Sequence, residues 1–415
     1  MGQSPAGSSV HEGIEGVEFH QGKIFFGEKI LTKSNLVTNS PTKIAEPDSI
    51  LLCVRAPVGK INITDRKICI GRGLCSLKPL NGLSLSFAYR LLETYEPLFV
   101  KQSTGTTFKA ITGEVVKNQL IPLPPLAEQE RIVEKLDSIM PLINDYDEKY
   151  ETLQQFNNSF PDRLKKSILQ LAVQGKLVPQ DPSDEPASAL LERIRAEKER
   201  LIREGKIKRD KNESVIFRRD NSHYEKLDSK EVCIDEEISF EVPENWAVCR
   251  LKSIASVLGG KRIPAGRKLT TSDTGHIYIR VSDMKNNSVN LDNLLYVPDD
   301  IYPSISRYII RKEDIYITVA GTIGSVGIVP SNLDGANLTE NADRLVFSLL
   351  DQKWLMNYLL SPYIQGLIAD ATTKVGQPKL AIKRIEEFPI ILPPLAEQKR
   401  IVAKIEELLP IIMTL

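Results

Sequence analysis

Apolar residues recur at alternating steps of four and three along one stretch of the chain. These steps are typical of the a and d positions of a coiled coil, whose apolar seam has to face another helix. A shorter series with the same steps lies at the end of the chain. The pattern therefore predicts two helices that pair along this seam, and the alternative is two amphipathic helices that each pack on their own domain. The seam positions are Ile132, Leu136, Ile139, Ile143, Tyr146, Tyr150 and Leu153 in the first series and Ile401, Ile405, Leu408 and Ile412 in the second.

Both series begin with nearly the same sequence. Residues 123–135 read LPPLAEQERIVEK and residues 392–404 read LPPLAEQKRIVAK, so eleven of thirteen positions agree at an offset of 269 residues. A repeat at a fixed offset indicates duplication of a larger unit. Paired prolines suit the entry and first turn of a helix, and the glutamate that follows complements the helix dipole. Each series also contains an interior proline, Pro141 and Pro410, which predicts a bend shared by the two helices.

The segments before each repeat predict two mixed, strand-rich modules. β-Branched runs at residues 50–54 and 315–319 are punctuated by glycine turns, and one helix is expected in each module, around residues 84–93 and 354–369. Between the modules we expect a short amphipathic helix after Pro161, a charged helix within residues 183–211 and a polar linker. The predicted class is α+β, with two modules joined by long antiparallel coiled-coil helices in a pseudo-twofold repeat. The boundaries are 1–120 for the first module, 121–211 for a central helical region, 212–242 for the linker, 243–390 for the second module and 391–415 for the last helix.

The composition of the chain limits the kinds of ligand and reaction that it is expected to support. Lysine plus arginine (54) equals aspartate plus glutamate (54), so any surface for nucleic acid must be local. The five cysteines never form a CxxC pair and the four histidines lack the spacing of metal ligands, so neither a metal nor a cofactor is expected. There is no methyltransferase catalytic motif or phosphate-binding loop, and GTIGSVG at residues 321–327 lacks the lysine of such a loop. No signal peptide or membrane-spanning run is present, which predicts a cytoplasmic, non-catalytic protein.

The doubled LPPLAEQ segment, each time followed by RIV and a heptad helix, resembles the specificity subunit of type I restriction-modification enzymes. PENWAVCRLKSIASVLGGKRIPAG at residues 243–266 and the central LKKSILQLAVQGKLVPQDPSDEPASALLERIRAEKERLIREGKIKRDK also look like that family. The resemblance covers essentially the whole chain. It implies two target recognition domains that each read half of a split site in double-stranded DNA, held apart by two antiparallel helices. Methyltransferase subunits would dock on those helices, and restriction subunits would complete the complex.

A helix from Pro125 to about residue 155 would be roughly 45 Å long at about 1.5 Å per residue. One turn of B-DNA is about 34–36 Å, so such a helix could set two readers on similar faces of a duplex. The first module lacks a counterpart of residues 243–257 and the last helix has fewer heptads than the first. We therefore expect a chain shortened at both ends. The alternative to a DNA reader is a coiled-coil scaffold whose two modules bind other ligands.

The expected DNA contacts are basic, amide and hydroxyl residues beside glycines, where the backbone can approach a phosphate or a base edge. The candidates are Gln3, Arg72, Lys101, Thr104, Thr106 and Lys109 in the first module and Lys261, Arg262, Arg267, Lys268, Arg280, Lys374, Gln377 and Lys379 in the second.

Overall fold

A computed structural model describes residues 1–105, 109–207, 209, 213–227, 230–373, 377–412 and 414. The chain divides into two compact units, Met1–Gln154 and Gln155–Leu415. Each unit has its own sheets and its own apolar core, as expected for a chain too long for a single core. Both helices and strands are present, which confirms the α+β prediction of two strand-rich domains and a long helix.

In the residues that the structure describes, the first unit contains eight strands, three short α-helices and the first part of a long helix. Its strands are β1 (Val10–Glu12), β2 (Val17–His20), β3 (Leu36–Thr38), β4 (Ile44–Ala45), β5 (Ser49–Cys53), β6 (Ile61–Thr64), β7 (Ile68–Ile70) and β8 (Leu74–Leu77). The helices are α1 (Leu85–Thr94), α2 (Glu96–Gln102) and α3 (Gly113–Lys117). One sheet has the order β1-β3-β2-β7-β4 and the other has the order β6-β5-β8. Every residue of β5 is buried. The strands β6 and β8 flank its edges, one face packs on Ile68 of the other sheet, and the other face packs on Tyr89 of α1.

The helix α4 (Leu126–Val173) starts directly after Pro125 in the first unit and ends in the second. It continues through both Pro141 and Pro161, so the prediction of a separate short helix after Pro161 was wrong. The helix ends before Gly175, which has a φ of +67°, a conformation that terminates helices and favours glycine.

The second unit has helices α5 (Ala187–Arg203), α6 (Leu251–Ile254), α7 (Tyr302–Ile305), α8 (Gln352–Leu359), α9 (Pro362–Ala371), α10 (Ile382–Glu386) and α11 (Leu395–Ile412). Its strands are β9 (Ser214–Arg219), β10 (Ser222–Leu227), β11 (Lys230–Cys233), β12 (Ala247–Arg250), β13 (Ala255–Gly259), β14 (Ile277–Ile279), β15 (Met284–Lys285), β16 (Ser288–Val289), β17 (Leu295–Tyr296), β18 (Ile315–Thr318), β19 (Val326–Ile328), β20 (Asn337–Leu338), β21 (Ala342–Phe347) and β22 (Pro389–Leu392).

The main sheet of the second unit has the order β13-β21-β18-β19, and smaller sheets are β11-β10-β9, β17-β14-β20, β12-β22 and β15-β16. The set β21-β18-β19 has the same antiparallel arrangement as β8-β5-β6 in the first unit. The turn after the central strand is closed identically: the Gly59 amide donates to the Cys53 carbonyl at 2.9 Å, and the Gly324 amide donates to the Thr318 carbonyl at 2.9 Å. The duplication therefore extends into the modules.

Two elements of the second unit differ from the sequence prediction. The polar linker expected over residues 212–242 instead contains the antiparallel meander β9, β10 and β11. Asp220 and Asn221 both have positive φ and form its first two-residue turn, which is the geometry that matches the twist of paired strands. The single helix expected around residues 354–369 is two helices, because Ser361 caps a new helix that has Pro362 at its first position.

The two seam series lie in different surroundings. Ile401, Ile405 and Ile412 of α11 are buried in the main core of the second unit, the cluster that also contains Trp354 and Leu355 of α8. The first-series positions Ile132, Leu136 and Ile139 are half-buried, whereas Ile143, Tyr146, Tyr150 and Leu153 are exposed. The antiparallel pairing of the two repeat helices stays a prediction.

Candidate nucleic-acid interface

In the first unit, three loops meet at the end of the buried strand β5. The Val54 amide donates to the Gly73 carbonyl at 2.9 Å, and the Val54 carbonyl accepts from the Ile111 amide at 2.9 Å. The Ala56 amide donates to the Lys109 carbonyl at 3.1 Å. These backbone bonds bring the glycine loop around Arg72 and the loop that contains Lys109 to one edge of the unit, which we call the first rim.

The N-terminal segment joins the same edge. The Gln3 amide donates to the Ile70 carbonyl at 3.0 Å, and the Arg72 amide donates to the Ser4 hydroxyl at 3.3 Å. Thr104 exchanges two backbone bonds of 3.0 Å with Ala110. The side chains of Gln3, Arg72, Lys101, Thr104 and Lys109 are all exposed. The first rim thus brings together Gln3, Arg72, Thr104 and Lys109. Lys101 lies in the last turn of α2, just before Thr104 in sequence.

The sequence analysis missed Arg55. This exposed residue follows β5 and forms a bridge with Ala110, so it lies between the two loops of the first rim. Within the part of the chain that the structure describes, Arg55, Arg72 and Lys109 have no carboxylate partner. Arg55 is not beside a glycine in sequence, and only its strand position reveals it.

The second unit repeats this junction after β18. The Leu380 amide donates to the Val319 carbonyl at 3.0 Å, as Ile111 does to Val54, and Ala320 bridges Lys379 as Arg55 bridges Ala110. The Thr373 amide donates to the Lys379 carbonyl at 3.2 Å. Gln377 and Lys379 are exposed on this loop, which forms part of the second rim.

The glycine loop after β13 is fixed to β21 of the main sheet and to β20 of a smaller sheet. The Gly260 amide donates to the Ala342 carbonyl at 3.1 Å, and the Lys261 amide donates to the Leu338 carbonyl at 2.8 Å. A Cβ on Gly260 would lie 2.0 Å from the Thr339 carbonyl oxygen, so only glycine fits this approach. The exposed Lys261 and Arg262 are thereby anchored at their backbone and complete the second rim.

Several candidates of the second unit already have partners. The Arg262 guanidinium lies 2.5 Å from a Glu340 carboxylate oxygen, and Arg267 pairs with Asp300. The Lys261 ammonium lies 5.8 Å from the centre of the Tyr308 ring. These side chains are exposed, and exposed pairs of this kind contribute little, so a phosphate could replace the carboxylate. Lys268 is exposed on the same loop as Arg267.

Arg280 differs from the other candidates because its guanidinium is occupied. It donates to the buried Asp283 carboxylate at 2.9 and 2.6 Å and to the Asn293 carbonyl at 3.1 Å. Its backbone amide also donates to Asp283, which closes a capping box. These contacts favour a structural role in the loop over a role in binding. Two further candidates, Thr106 and Lys374, lie outside the described residues.

An unpaired carboxyl group lies next to the second rim. Asp343 is on β21, 3% exposed, and opposite both Gly259 and Ile317 in the sheet, and its Oδ2 has no hydrogen-bond partner among the described residues. Burial raises the pKa of Asp343 to about 6, although the nearby Lys379 lowers it. The pKa of the Asp343 carboxyl group therefore depends on how completely the residues next to the second rim bury it.

Among the described residues, no group of three or more histidine, cysteine, aspartate or glutamate side chains is arranged to hold a metal ion. In the same part of the chain, no helix is both long enough and apolar enough to cross a membrane.

Residues 14–154 and 243–414 match the family described as the type I restriction modification DNA specificity domain. These two matches cover most of the chain, and each includes one of the two copies of the repeat. The chain therefore belongs to the family of type I restriction-modification DNA specificity domains.

Two curated relatives are specificity subunits. The chain is 30% identical over 373 residues to the type I restriction enzyme EcoAI specificity subunit of Escherichia coli, covering 77% of this chain and 59% of the relative. It is 39% identical over 178 residues to the putative type I restriction enzyme MjaX specificity subunit of Methanocaldococcus jannaschii, covering 43% of this chain and 40% of the relative. The chain thus spans less than two thirds of the length of either relative.

The fold is similar to the crystal structure of the HsdS subunit from Thermoanaerobacter tengcongensis. The two share a TM-score of 0.50 and 18% sequence identity, and the match covers 96% of this chain and 84% of the other. At this identity the likeness concerns the fold.

Proposed function

We propose that this protein is the DNA sequence-specificity subunit of a type I restriction-modification complex. In this role it reads a bipartite site in double-stranded DNA and positions methyltransferase and restriction subunits without doing chemistry itself. The observation that carries the proposal is the repeated junction at the end of a buried strand. Val54 and Val319 make the same backbone bonds, whereas the exposed residues around them differ.

A repeated backbone with unlike side chains suits a protein that reads two different half-sites. Arginine, lysine, glutamine and threonine bind phosphate oxygens and base edges, and these residue types dominate both rims. The first unit offers Arg55, Gln3, Arg72, Thr104 and Lys109 on the first rim, and Lys101 at the end of α2. The second unit offers Lys261, Arg262, Gln377 and Lys379 on the second rim, and Arg267 and Lys268 further along the same glycine loop. The recognition domains would be residues 1–120 and 243–390.

The long helix would serve as the spacer. Part of its apolar face, at Ile143, Tyr146, Tyr150 and Leu153, is exposed along α4. We propose that this face belongs to the shared helical region to which the methyltransferase subunits dock.

DNA binding by the full chain, alone and with its cognate methyltransferase subunit, tests the proposal. We expect binding to duplex DNA to weaken steeply with salt, because lysines and arginines release counterions from phosphates. The pair Arg72→Ala and Lys109→Ala should weaken binding and reduce the salt slope by about one for each phosphate that the variant no longer neutralises.

Lys135→Ala is the matched control, because this exposed lysine lies on α4 away from the first rim. Mapping methylated bases in cells that carry the complex should then show a split recognition sequence. Absence of DNA binding by the assembled complex would contradict the proposal and favour a scaffold that binds other ligands.

A further inference from the structure

The second copy of the repeat is covered by a strand. β12 pairs antiparallel with β22, the segment that directly precedes the LPPLAEQ sequence, with Ala247 opposite Leu392 and Arg250 opposite Pro389. Ile390, Ile391 and Leu392 are completely buried as a result.

Polar groups continue this cover along the start of α11. The Trp246 indole N–H donates to the Glu397 carboxylate at 2.8 Å, and the Gln180 side-chain amide donates to the same group at 2.6 Å. Arg400 forms a two-pronged pair with Asp184 at 3.1 and 2.6 Å. Glu397 therefore has partners in Trp246 and Gln180, and Arg400 has a partner in Asp184.

The first copy has the same residues and no cover. Leu120 is 91% exposed and Leu123 is 64% exposed, although their counterparts Pro389 and Leu392 are buried. Glu128 and Arg131, the counterparts of Glu397 and Arg400, are both exposed, and neither side chain has a hydrogen-bond or ion-pair partner within the described ranges. The first copy thus presents an apolar strip beside a carboxylate and a guanidinium that have no partner in the described part of the chain.

The inner side of the uncovered segment is nevertheless already in place. The Tyr95 hydroxyl donates to the Leu120 carbonyl at 2.7 Å, as the Tyr358 hydroxyl donates to the Pro389 carbonyl at 3.0 Å. Residues 119–123 are therefore held against their own unit in the same way as β22, with the opposite edge free.

A proline in this segment is compatible with pairing on the free edge. Pro122 occupies the position of Ile391, whose amide donates inward to the Tyr358 hydroxyl at 3.0 Å and not to β12. The missing N–H of Pro122 consequently removes no bond from a ladder on the outer side.

We propose that residues 119–123, with Glu128 and Arg131, form a docking site for an extended polypeptide segment with the chemistry of residues 243–257. The segment would pair antiparallel with residues 119–123. It would bury Leu120 and Leu123, place an aromatic N–H donor on Glu128 and bring a carboxylate to Arg131. Strand addition of this kind takes its affinity from main-chain bonds and its specificity from side-chain pockets.

The occupant is a separate polypeptide segment of this chemistry and not β12 of a second copy. β12 is already paired with β22 over four residues, and Trp246 is buried against Glu397 in its own unit. Withdrawal of β12 would expose the core of the second unit, so it is not available for exchange.

A fluorescent peptide with the sequence of residues 243–257 and the change Cys249→Ser is the probe. Fluorescence anisotropy measures its binding to the full chain. We expect saturable binding, and we expect Trp246→Ala in the peptide to weaken it by about tenfold or more, since buried tryptophans dominate small interfaces. Leu123→Asp in the protein should abolish binding, and Glu128→Ala should weaken it. Neither residue supports the core of the unit, so both variants should fold.

Glu134→Ala is the matched control, because it changes another exposed glutamate of α4 and should leave binding unchanged. Equal binding of a scrambled peptide, or no binding by a chain whose circular dichroism shows it folded, would overturn the proposal. A concentration-dependent dimer of the chain alone that Leu123→Asp dissociates would overturn the choice of occupant, because a second copy would then fill the site. None of these outcomes depends on DNA binding.

Discussion

The side-chain oxygen of Gln398 accepts a hydrogen bond from the backbone amide of Asp351 at 3.0 Å. Asp351 is the N-cap of α8, so a residue of the repeated LPPLAEQ sequence fixes the start of a helix in the preceding module. The first unit contains the same device, because Gln129 accepts from the amide of Ser84, the N-cap of α1, at 2.8 Å. Both glutamine side chains also donate back to a proline carbonyl of the repeat, and both are fully buried.

Gln129→Ala and Gln398→Ala are each expected to destabilise their own unit by about 1–3 kcal/mol, because each leaves a backbone amide and a proline carbonyl that are at least partly buried without their partners. Chemical denaturation followed by circular dichroism measures the change. Gln155→Ala, at an exposed position of α4, is the control and should have little effect. A free energy of unfolding unchanged in both glutamine variants would show that water satisfies these groups.

Glu18 is expected to make stability of the first unit depend on acid pH. Burial raises its pKa, but hydrogen bonds from the Arg66 guanidinium, the Ser34 amide and His20 outweigh this and lower the pKa to about 2. The stabilisation is therefore present above pH 4.5 and lost as the pH falls through about 2.

Glu18→Gln should cost about 1.5–3 kcal/mol at pH 7, the range for hydrogen bonds to charged groups, and progressively less towards pH 2. Thermal unfolding across this pH range provides the measurement, with the exposed Glu15→Gln as control. A difference that stays constant down to pH 2 would contradict the assigned pKa.

Asp343 should have the opposite pH dependence. Its pKa of about 6 lies above the ordinary value of 3.8, so its contribution to stability is complete below pH 3.8 and is lost as the pH rises through 6. Asp343→Asn should thus stabilise the second unit at pH 8, by about 1–2 kcal/mol, and have almost no effect at pH 4. Unfolding curves at the two pH values test this, and Asp370→Asn, on the surface of α9, should change neither. Stabilisation of equal size at both pH values would exclude ionisation as the cause.

Gly260→Ala is expected to displace the loop that bears Lys261 and Arg262, because a Cβ would overlap the Thr339 carbonyl oxygen at 2.0 Å. The variant has the same net charge as the wild type, but its DNA binding should weaken. The free energy of unfolding should fall by less than the free energy of DNA binding. Gly266→Ala tests whether any glycine of the loop is equally sensitive. This residue has φ of +79° with open space around the added Cβ, so only backbone strain of about 1 kcal/mol is expected. Equal DNA affinity of wild type and Gly260→Ala would contradict the anchoring role.

The candidate site was predicted in part. The glycine-adjacent residues Arg72, Lys109, Lys261 and Lys379 do lie at the two rims. Arg55 was missed because nothing around it in sequence marks it, and its position depends on pairing with Ala110, 55 residues away. Arg280 was predicted as a DNA contact, but its guanidinium is occupied by Asp283, with which it forms a capping box.

The sequence by itself determined the features that depend on neighbours within one or two turns. The doubled motif, the helix starts after Pro125 and Pro394 and the helix end before Gly175 follow from local backbone preferences. The family could also be predicted from the sequence, because a short repeated motif can be recognised without knowing the tertiary structure.

The tertiary structure alone decided which surfaces are covered. Pro161 does not end α4, and the strands β9, β10 and β11 lie where a linker was expected. Leu392 and Glu397 in the second copy of the repeat are buried, whereas their counterparts Leu123 and Glu128 in the first copy are exposed. These outcomes depend on contacts between residues far apart in the sequence, such as Trp246 with Glu397. Two nearly identical motifs carry the same local preferences, so only the presence or absence of a distant strand can make their environments differ.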